Sequence, residues 1–302
     1  MHLYTTDQHV IPLPPGHKFP IRKYTLLRRM LEEDGYFQFR PAPFSTRTEI
    51  ELVHGAEYVD GFLNGTLSAS AIRRIGFPWS DGLVQRTLAS VGGTVAASRN
   101  ALLQGWGGTL AGGTHHAFAD EGSGFCVFND IAVAIRVLRS EDKIRRAAVI
   151  DVDVHQGDGT AHIFRDDPDV LTLSLHCKNN FPLRKQQSKI DVELDAGTSD
   201  EAYLARLAPV LPRVLDFEPD IVFYQSGVDG LESDVLGHLS LTLNGLKRRD
   251  SMVMSAVLEQ HVPFVITLGG GYSDPITLTA EAHANTFRTA AAIFDGATHV
   301  MP

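Results

Sequence analysis

The chain of 302 residues is 43% hydrophobic, enough to bury a large core, and carries 36 acidic against 27 basic side chains. A formal net charge of −9 without a basic block argues against nucleic-acid binding, and no apolar run approaches the length of a membrane span. With two cysteines and no signal-peptide pattern at the N-terminus, we expect a cytoplasmic protein without a disulfide framework.

Short apolar runs alternate with amphipathic stretches along the whole chain. The apolar runs predict strands at residues 3–6, 108–111, 147–154, 170–176, 221–226 and 264–268. The amphipathic stretches predict helices at residues 23–34, 82–104, 129–139, 201–217, 246–259 and 277–294. Near-continuously apolar strands separated by helices are typical of a parallel sheet covered on both faces. Since no repeat or change of composition divides the chain, we predict one α/β domain over residues 1–302.

Polar clusters follow four of the predicted strands. In chain order they contain His115 and His116, the segment from Asp151 to Asp158, Asp229, and Tyr272. In open parallel sheets, ligands bind in the crevice beyond the carboxyl ends of the strands. Four clusters that meet at one sheet edge therefore predict an active site.

The segment at 151–155 predicts a metal site. If the strand continued to residue 154, Asp151, Asp153 and His155 would project to one face and the intervening valines to the other. Asp153, His155 and Asp229 together offer two carboxylates and one imidazole and leave coordination positions open, as catalytic metal sites do. This set suits Zn²⁺, and its oxygen ligands also suit Fe²⁺ or Co²⁺.

The adjacent pair His115 and His116 supplies candidate acid and base groups, and nearby carboxylates are available to orient each imidazole. Tyr272, after three glycines, could donate a hydrogen bond to a developing oxyanion. The glycines match neither a P-loop nor a dinucleotide-binding fingerprint. The residues therefore favour metal-assisted amide hydrolysis over phosphoryl transfer.

Five motifs in a fixed order resemble the zinc-dependent histone deacetylase superfamily. They are GGTHHAFADEGSGFCVFNDIAVA (112–134), DVDVHQGDGT (151–160), TLSLH (172–176), SGVDGLESDVLGHLSLT (226–242) and LGGGY (268–272). Gln156 and the segment at 180–185 are similar to the class IV and related bacterial branch. The resemblance implies the arginase/deacetylase fold, an α/β domain with a central parallel sheet of about eight strands flanked by helices on both faces.

The resemblance also implies roles for individual residues. The implied metal ligands are Asp153, His155 and Asp229. The implied catalytic residues are His116 as general base and acid, His115 as its electrostatic partner, Asp158 and Asp151 as the carboxylates beside these two histidines, and Tyr272 as the donor to the substrate carbonyl.

Two further sets of residues follow from the same resemblance. Gly124, Phe125 and Phe181 are similar to the walls of a narrow tunnel that holds an acyl-lysine stem. The family's structural K⁺ would be bound by Asp151, Asp153, His155, Ser174 and Leu175.

The resemblance implies an enzyme that removes acetyl or longer fatty acyl groups from ε-N-acyl-lysine. A binuclear ureohydrolase of related fold is disfavoured, because Gly157 and Gly227 stand where it needs aspartates. Two alternatives stay open: an amidohydrolase that acts on acetylated polyamines or other small metabolites, and an inactive protein that binds acylated ligands. The segment at 74–78 lacks the aspartate with which class I enzymes hold a peptide backbone. The sequence does not indicate an oligomeric state.

Overall fold

The computed structural model describes residues 1–296, and its centre is one sheet of eight parallel strands. In chain order these are β1 (His2–Thr5), β2 (Gln38–Pro41), β3 (Trp106–Thr109), β4 (Ala147–Asp151), β5 (Val170–Cys177), β6 (Ile190–Leu194), β7 (Ile221–Gln225) and β8 (Phe264–Thr267). Their order across the sheet is β2-β1-β3-β8-β7-β4-β5-β6. The prediction of a parallel sheet of about eight strands is confirmed.

Helices cover both faces of the sheet. They are α1 (Arg22–Glu33), α2 (Arg47–Ile50), α3 (Ala56–Leu63), α4 (Ala69–Ile75), α5 (Asp81–Gln104), α6 (Asp130–Ser140), α7 (Asp158–Phe164), α8 (Asp200–Leu207), α9 (Leu211–Leu215), α10 (Leu243–Glu259) and α11 (Ile276–Phe294). The core on one face contains residues of α1 and α8 to α11, and the core on the other face contains residues of α2 to α7.

Alternate residues of the central strands supply these two cores. In β4, Ala148 and Ile150 belong to the first core, whereas Ala147 and Val149 belong to the second. A strand that is buried on both faces has no polar side, which explains its near-continuous apolar sequence. Among residues 1–296, no helix combines the length and apolar character that crossing a bilayer requires.

The strand predicted at 147–154 ends earlier, at Asp151. After Asp151, side-chain carboxylates accept hydrogen bonds from backbone N–H groups that could otherwise bond to a neighbouring strand. The N–H of Asp153 donates to Asp151 Oδ1 at 3.1 Å, and the N–H of Val154 donates to Asp229 Oδ1 at 2.9 Å. The predicted strand is therefore three residues too long. The expected separation of side chains is retained, because Val152 and Val154 still belong to the first core whereas His155 Nδ1 lies 3.0 Å from Asp153 Oδ1.

The single helix predicted at 201–217 is two helices, α8 and α9. Pro209 lies between them, and proline in a helix interior lacks the N–H donor and collides with the preceding turn. The edge strands β2 and β6 were not predicted from the sequence.

Candidate active site

The carboxyl ends of β3, β4, β7 and β8 meet at one edge of the sheet, because all strands are parallel and these four are neighbours. The segments that leave these ends carry the predicted site residues. They enclose a cavity of about 600 Å³ that is lined, among others, by His115, His116, Asp153, His155, Asp229 and Tyr272. Asp151 and Asp158 do not line this cavity and lie behind the two histidines.

Asp153, His155 and Asp229 offer ligand atoms that all lie within 4.8 Å of one another. His155 Nδ1 is 3.0 Å from Asp153 Oδ1 and 3.0 Å from Asp229 Oδ2. Asp153 and Asp229 are 1% and 0% exposed, and buried carboxylates need a compensating cation.

The pKa values of Asp229 and His155 also indicate that this site favours additional positive charge. Burial raises the pKa of Asp229 to about 7, and the charge of Asp153 adds to the rise. Burial opposes protonation of His155, but its hydrogen bonds to Asp153 and Asp229 outweigh this and raise its pKa to about 10. Without a metal, the site therefore retains a proton. A divalent cation fits the donor set better, because it can interact with both carboxylates and the imidazole at once.

The adjacent histidines have separate carboxylate partners. His115 Nδ1 lies 2.7 Å from Asp151 Oδ2, and His116 Nδ1 lies 2.7 Å from Asp158 Oδ1. Their ring centroids are 4.1 Å apart, so the charge of one ring acts directly on the other.

These surroundings give the two rings opposite protonation preferences. Burial disfavours the charged form of His115, but the charges of Asp151 and Asp153 outweigh burial and raise its pKa to about 9. Burial and the positive charge of His115 lower the pKa of His116 to about 4. At neutral pH His116 therefore donates Nδ1–H to Asp158 and keeps an unprotonated Nε2, as a proton acceptor requires.

Tyr272 lines the cavity, and the loop that carries it is held by Asp234. The N–H of Tyr272 donates to Asp234 Oδ2 at 2.6 Å, while Asp234 Oδ1 accepts from the N–H groups of Leu236 and Gly237. Removal from water raises the pKa of the Tyr272 phenol well above its usual value. The phenol therefore stays protonated and can act as a hydrogen-bond donor.

Gly124, Phe125 and Phe181 line the same cavity. The Phe181 ring packs edge-on against His116, with centroids 4.9 Å apart. Gly124 and Phe125 have φ angles of 54° and 65°, and positive values are uncommon for a residue such as Phe125. The Phe125 conformation is held by its N–H, which donates to Ile75 O at 2.8 Å. These residues form an aromatic wall close to the histidines.

The residues predicted to bind a structural K⁺ are buried on and after β4 and on β5. Asp151 is paired in register with Ser174, and Leu175 follows on the same strand. Ser174 Oγ lies 2.9 Å from His176 Nδ1. The structure thus brings these five residues into adjacent positions, and the cation site itself stays a prediction.

Sequence reasoning missed several residues that hold the site together. Asp130 accepts hydrogen bonds from the N–H groups of Gly113 and Thr114, just before the histidine pair. Arg249 is fully buried, and its Nη1 donates to Gly227 O at 2.7 Å. Asp130 directly follows Asn129, the N-cap of α6, so a short polar pair before an apolar helix was an available signal. For Arg249 no local signal exists.

Comparisons with known proteins agree with this geometry. A model of the histone deacetylase domain matches residues 17–289. An uncharacterised protein of Picosynechococcus is 45% identical over 291 residues, which are 95% of this chain and 97% of that protein. Histone deacetylase 2 of Arabidopsis thaliana is 31% identical over 275 residues, 85% of this chain and 70% of that protein.

A solved structure shows the fold independently. The acetylpolyamine aminohydrolase from Burkholderia pseudomallei has a TM-score of 0.76 and 22% sequence identity, and the match covers 97% of this chain and 99% of that one. At this identity the likeness concerns the fold alone, and it confirms the arginase/deacetylase α/β architecture. With a family model that spans most of its length, the chain belongs to the histone deacetylase family.

Proposed function

We propose that this deacetylase-family hydrolase removes acyl groups, acetyl or longer fatty acyl, from ε-N-acyl-lysine. One observation carries the proposal. His115 and His116, each hydrogen-bonded to its own carboxylate, stand beside a buried set of two carboxylates and one imidazole, within one aromatic-lined cavity. A base, a cation and a metal site in contact with one cavity are the groups that amide hydrolysis requires.

Asp153, His155 and Asp229 would hold the catalytic metal, for which we propose Zn²⁺, with Fe²⁺ as the alternative. When bound, such an ion polarises a carbonyl and lowers the pKa of a coordinated water. We also propose a structural K⁺ bound by Asp151, Asp153, His155, Ser174 and Leu175, since these residues lie side by side at the carboxyl ends of β4 and β5.

The chain's own residues move protons and hold the substrate. His116 Nε2 accepts the proton of the attacking water while Asp158 holds Nδ1–H, and the same nitrogen then returns a proton to the leaving amine. The positive charge on His115 and the Tyr272 hydroxyl stabilise the negative charge that develops on the carbonyl oxygen. Gly124, Phe125 and Phe181 surround the apolar stem of the substrate.

The charges of the cavity favour lysine over an acetylated polyamine. Among the described residues, the acidic side chains that line the cavity are Asp153 and Asp229, and both belong to the metal site. Apart from the histidines, the other charged residues on the described lining are Arg74 and Arg86, which are cations. A polyamine carries further ammonium groups beyond its acyl nitrogen, and this lining offers them no carboxylate partner.

The remaining parts of the proposal rest on sequence and burial. We assign the chain to the class IV-like branch on Gln156, and treat residues 1–302 as one catalytic domain. Cys126 and Cys177 are both free and buried, which supports a reducing cytoplasmic location.

The test is hydrolysis of lysine peptides that differ only in acyl chain, from acetyl to myristoyl, by metal-reconstituted protein. We expect the rate at which the acyl group is released to fall roughly 10²- to 10⁴-fold in His116→Ala and in Tyr272→Phe, with the metal content of both variants unchanged. Near-normal turnover in either variant would contradict the assigned roles. A metal-bound wild type that binds these peptides without hydrolysing any of them would favour an inactive acyl-binding protein.

A further inference from the structure

One face of α5 lines the cavity with an unexpected mixture of side chains. The lining residues Leu83, Arg86, Thr87, Ser90 and Val91 recur at the spacing of a single helix face. An apolar acyl group would need only the leucine and the valine. Ser90 Oγ already accepts a hydrogen bond from the N–H of Gly112, so the arginine is the residue that points to another ligand.

Arg86 is a buried cation without a counter-charge. It is 7% exposed, and no carboxylate of residues 1–296 forms an ion pair with it. Its Nη1 donates to Thr6 O at 3.0 Å, and its guanidinium lies 4.1 Å from the centroid of the Tyr24 ring. A guanidinium has five N–H donors, so one hydrogen bond to a carbonyl leaves most of them for a ligand.

A second buried cation adds to the positive charge of this region. Lys23 is 1% exposed, and its Nζ donates to Gly269 O at 3.0 Å. The same Nζ lies 5.4 Å from the centroid of the Tyr24 ring and 5.4 Å from that of Tyr272. Two cations thus share the Tyr24 ring beside the cavity, and buried charges of this kind are normally paired.

We propose that Arg86 forms a carboxylate-binding subsite where α5 lines the cavity beside the end of β1, with Thr87 and Ser90 on the same helix face. This inference rests on the proposed function and names a substrate class for it: amides whose acyl group ends in a second carboxylate, such as succinyl-, glutaryl- or adipoyl-lysine. Arginine binds carboxylates through two parallel hydrogen bonds, which an alkyl chain cannot replace. A purely apolar acyl chain would exclude water from Arg86 without compensating its charge.

The reaction on such a substrate would be ordinary hydrolysis. Water adds to the amide carbonyl carbon, the C–N bond breaks, the lysine amine leaves with a proton, and a dicarboxylate is released. The distal carboxylate takes no part in bond breaking and acts only by binding Arg86. A free carboxylate product could occupy the same subsite, so the experiment separates the two sources.

The test of this subsite compares the hydrolysis of matched substrates by metal-reconstituted protein. Each succinyl-, glutaryl- or adipoyl-lysine peptide is paired with the peptide whose distal carboxylate is replaced by a carboxamide of nearly equal size. For the chain length that reaches Arg86, we expect kcat/KM for the acid to exceed that for the amide roughly tenfold or more. Arg86→Met should abolish this ratio, Arg86→Lys should retain part of it, and turnover of acetyl-lysine should persist in both variants.

Other outcomes are distinguishable. In one of them, the acid and amide substrates have equal kcat/KM at every acyl chain length, while free acetate or glutarate inhibits Arg86→Met less than wild type. This result would show that the subsite binds the released product and would overturn the proposed substrate class. A ratio near one with unchanged inhibition would overturn the proposal, while Tyr272-dependent turnover of acetyl-lysine would leave the proposed function standing. If Arg86→Met does not fold, the wild-type ratio and Arg86→Lys still decide. Failure to hydrolyse any peptide, acetyl-lysine included, would refute the proposed function and this inference together.

Discussion

At the scale of single residues, Gly124 is required by both backbone conformation and space. Its φ is +54°, and a Cβ there would lie 2.7 Å from His116 Cδ2 and 3.2 Å from Phe181 Cε1. We predict that Gly124→Ala loses about 1–2 kcal/mol of stability from the left-handed backbone and, in addition, most of its activity because His116 must shift. Thermal unfolding and kcat measure the two effects.

Gly197 provides the matched control. It also has a positive φ, +76°, but a Cβ there would meet nothing within 4 Å. Gly197→Ala should therefore lose similar stability and keep normal kcat. Equal activity in the two variants would show that contact with His116 is not what makes Gly124 necessary.

The sequence reveals the site residues themselves better than the residues that hold them. His115, Asp153 and Tyr272 belong to short motifs at strand ends, and parallel topology brings such ends together. Asp234 and Arg249 act on backbone groups far away in the chain, and nothing in their own neighbourhoods indicates those partners.

At the scale of elements, helix α10 ties two loops of the site together. Arg249 Nη1 donates to Gly227 O at 2.7 Å and to Val152 O at 3.5 Å, and these carbonyls adjoin the segments that carry Asp229 and Asp153. The guanidinium is paired with Asp250, which also accepts hydrogen bonds from Tyr224 and Thr286. Arg249 therefore holds together the two loops that carry two of the proposed metal ligands.

We predict that Arg249→Met weakens metal affinity roughly 10- to 100-fold, because the two loops lose their common donor. It should also lower stability by about 3–5 kcal/mol, because Asp250 is left without its cation. Chelator competition measures the first effect and urea unfolding the second.

Arg248→Met is the control for this prediction. Arg248 is adjacent on the same helix but is half exposed, and within residues 1–296 its one ion pair is with Glu201 on α8. Its loss should change stability by less than about 0.5 kcal/mol and leave metal affinity unaltered. If Arg249→Met bound metal as tightly as Arg248→Met does, α10 would have no positioning role.

Strands β2 and β6 and the end of β4 were not predicted from the sequence, and each has a physical reason. In β6 residues alternate between buried and exposed, a pattern visible in Ile-Asp-Val-Glu-Leu but short and preceded by a polar loop. In β2 only Phe39 is even partly buried, so hydrophobic periodicity gives no signal there. The end of β4 depends on carboxylates that compete for backbone N–H groups, one of them from Asp229, 75 residues away.

At the scale of the whole molecule, buried histidines make stability depend on pH. His54 joins two segments: its Nδ1–H donates to Ala119 O at 3.1 Å, and its Nε2 accepts from the N–H of Asn129 at 2.9 Å. Burial lowers its pKa to about 4. In the unfolded chain the pKa is about 6.5, so the unfolded state binds more protons between these values.

The contribution of His54 is therefore complete above pH 6.5 and is lost as pH falls from 6.5 towards 4. We predict that wild type loses about 2 kcal/mol more stability than His54→Gln between pH 7.5 and pH 5. Urea unfolding of both proteins in the presence of chelator measures the difference, because chelator removes the effect of metal release. If the free energy of unfolding changed with pH equally in the two proteins, His54 would not be the group that causes the loss of stability.

The central claim is that this family member acts on acyl-lysine, and the most direct measurement compares two substrates on one preparation. The metal-reconstituted protein is given an acetyl-lysine peptide and a monoacetylated diamine, and kcat/KM is determined for each, with Tyr272→Phe as a blank. The cavity lining predicts Tyr272-dependent hydrolysis of the peptide and a kcat/KM for the diamine at least about tenfold lower. The described lining residues offer the free ammonium no carboxylate outside the proposed metal site. Faster hydrolysis of the diamine would contradict the account and identify a polyamine amidohydrolase.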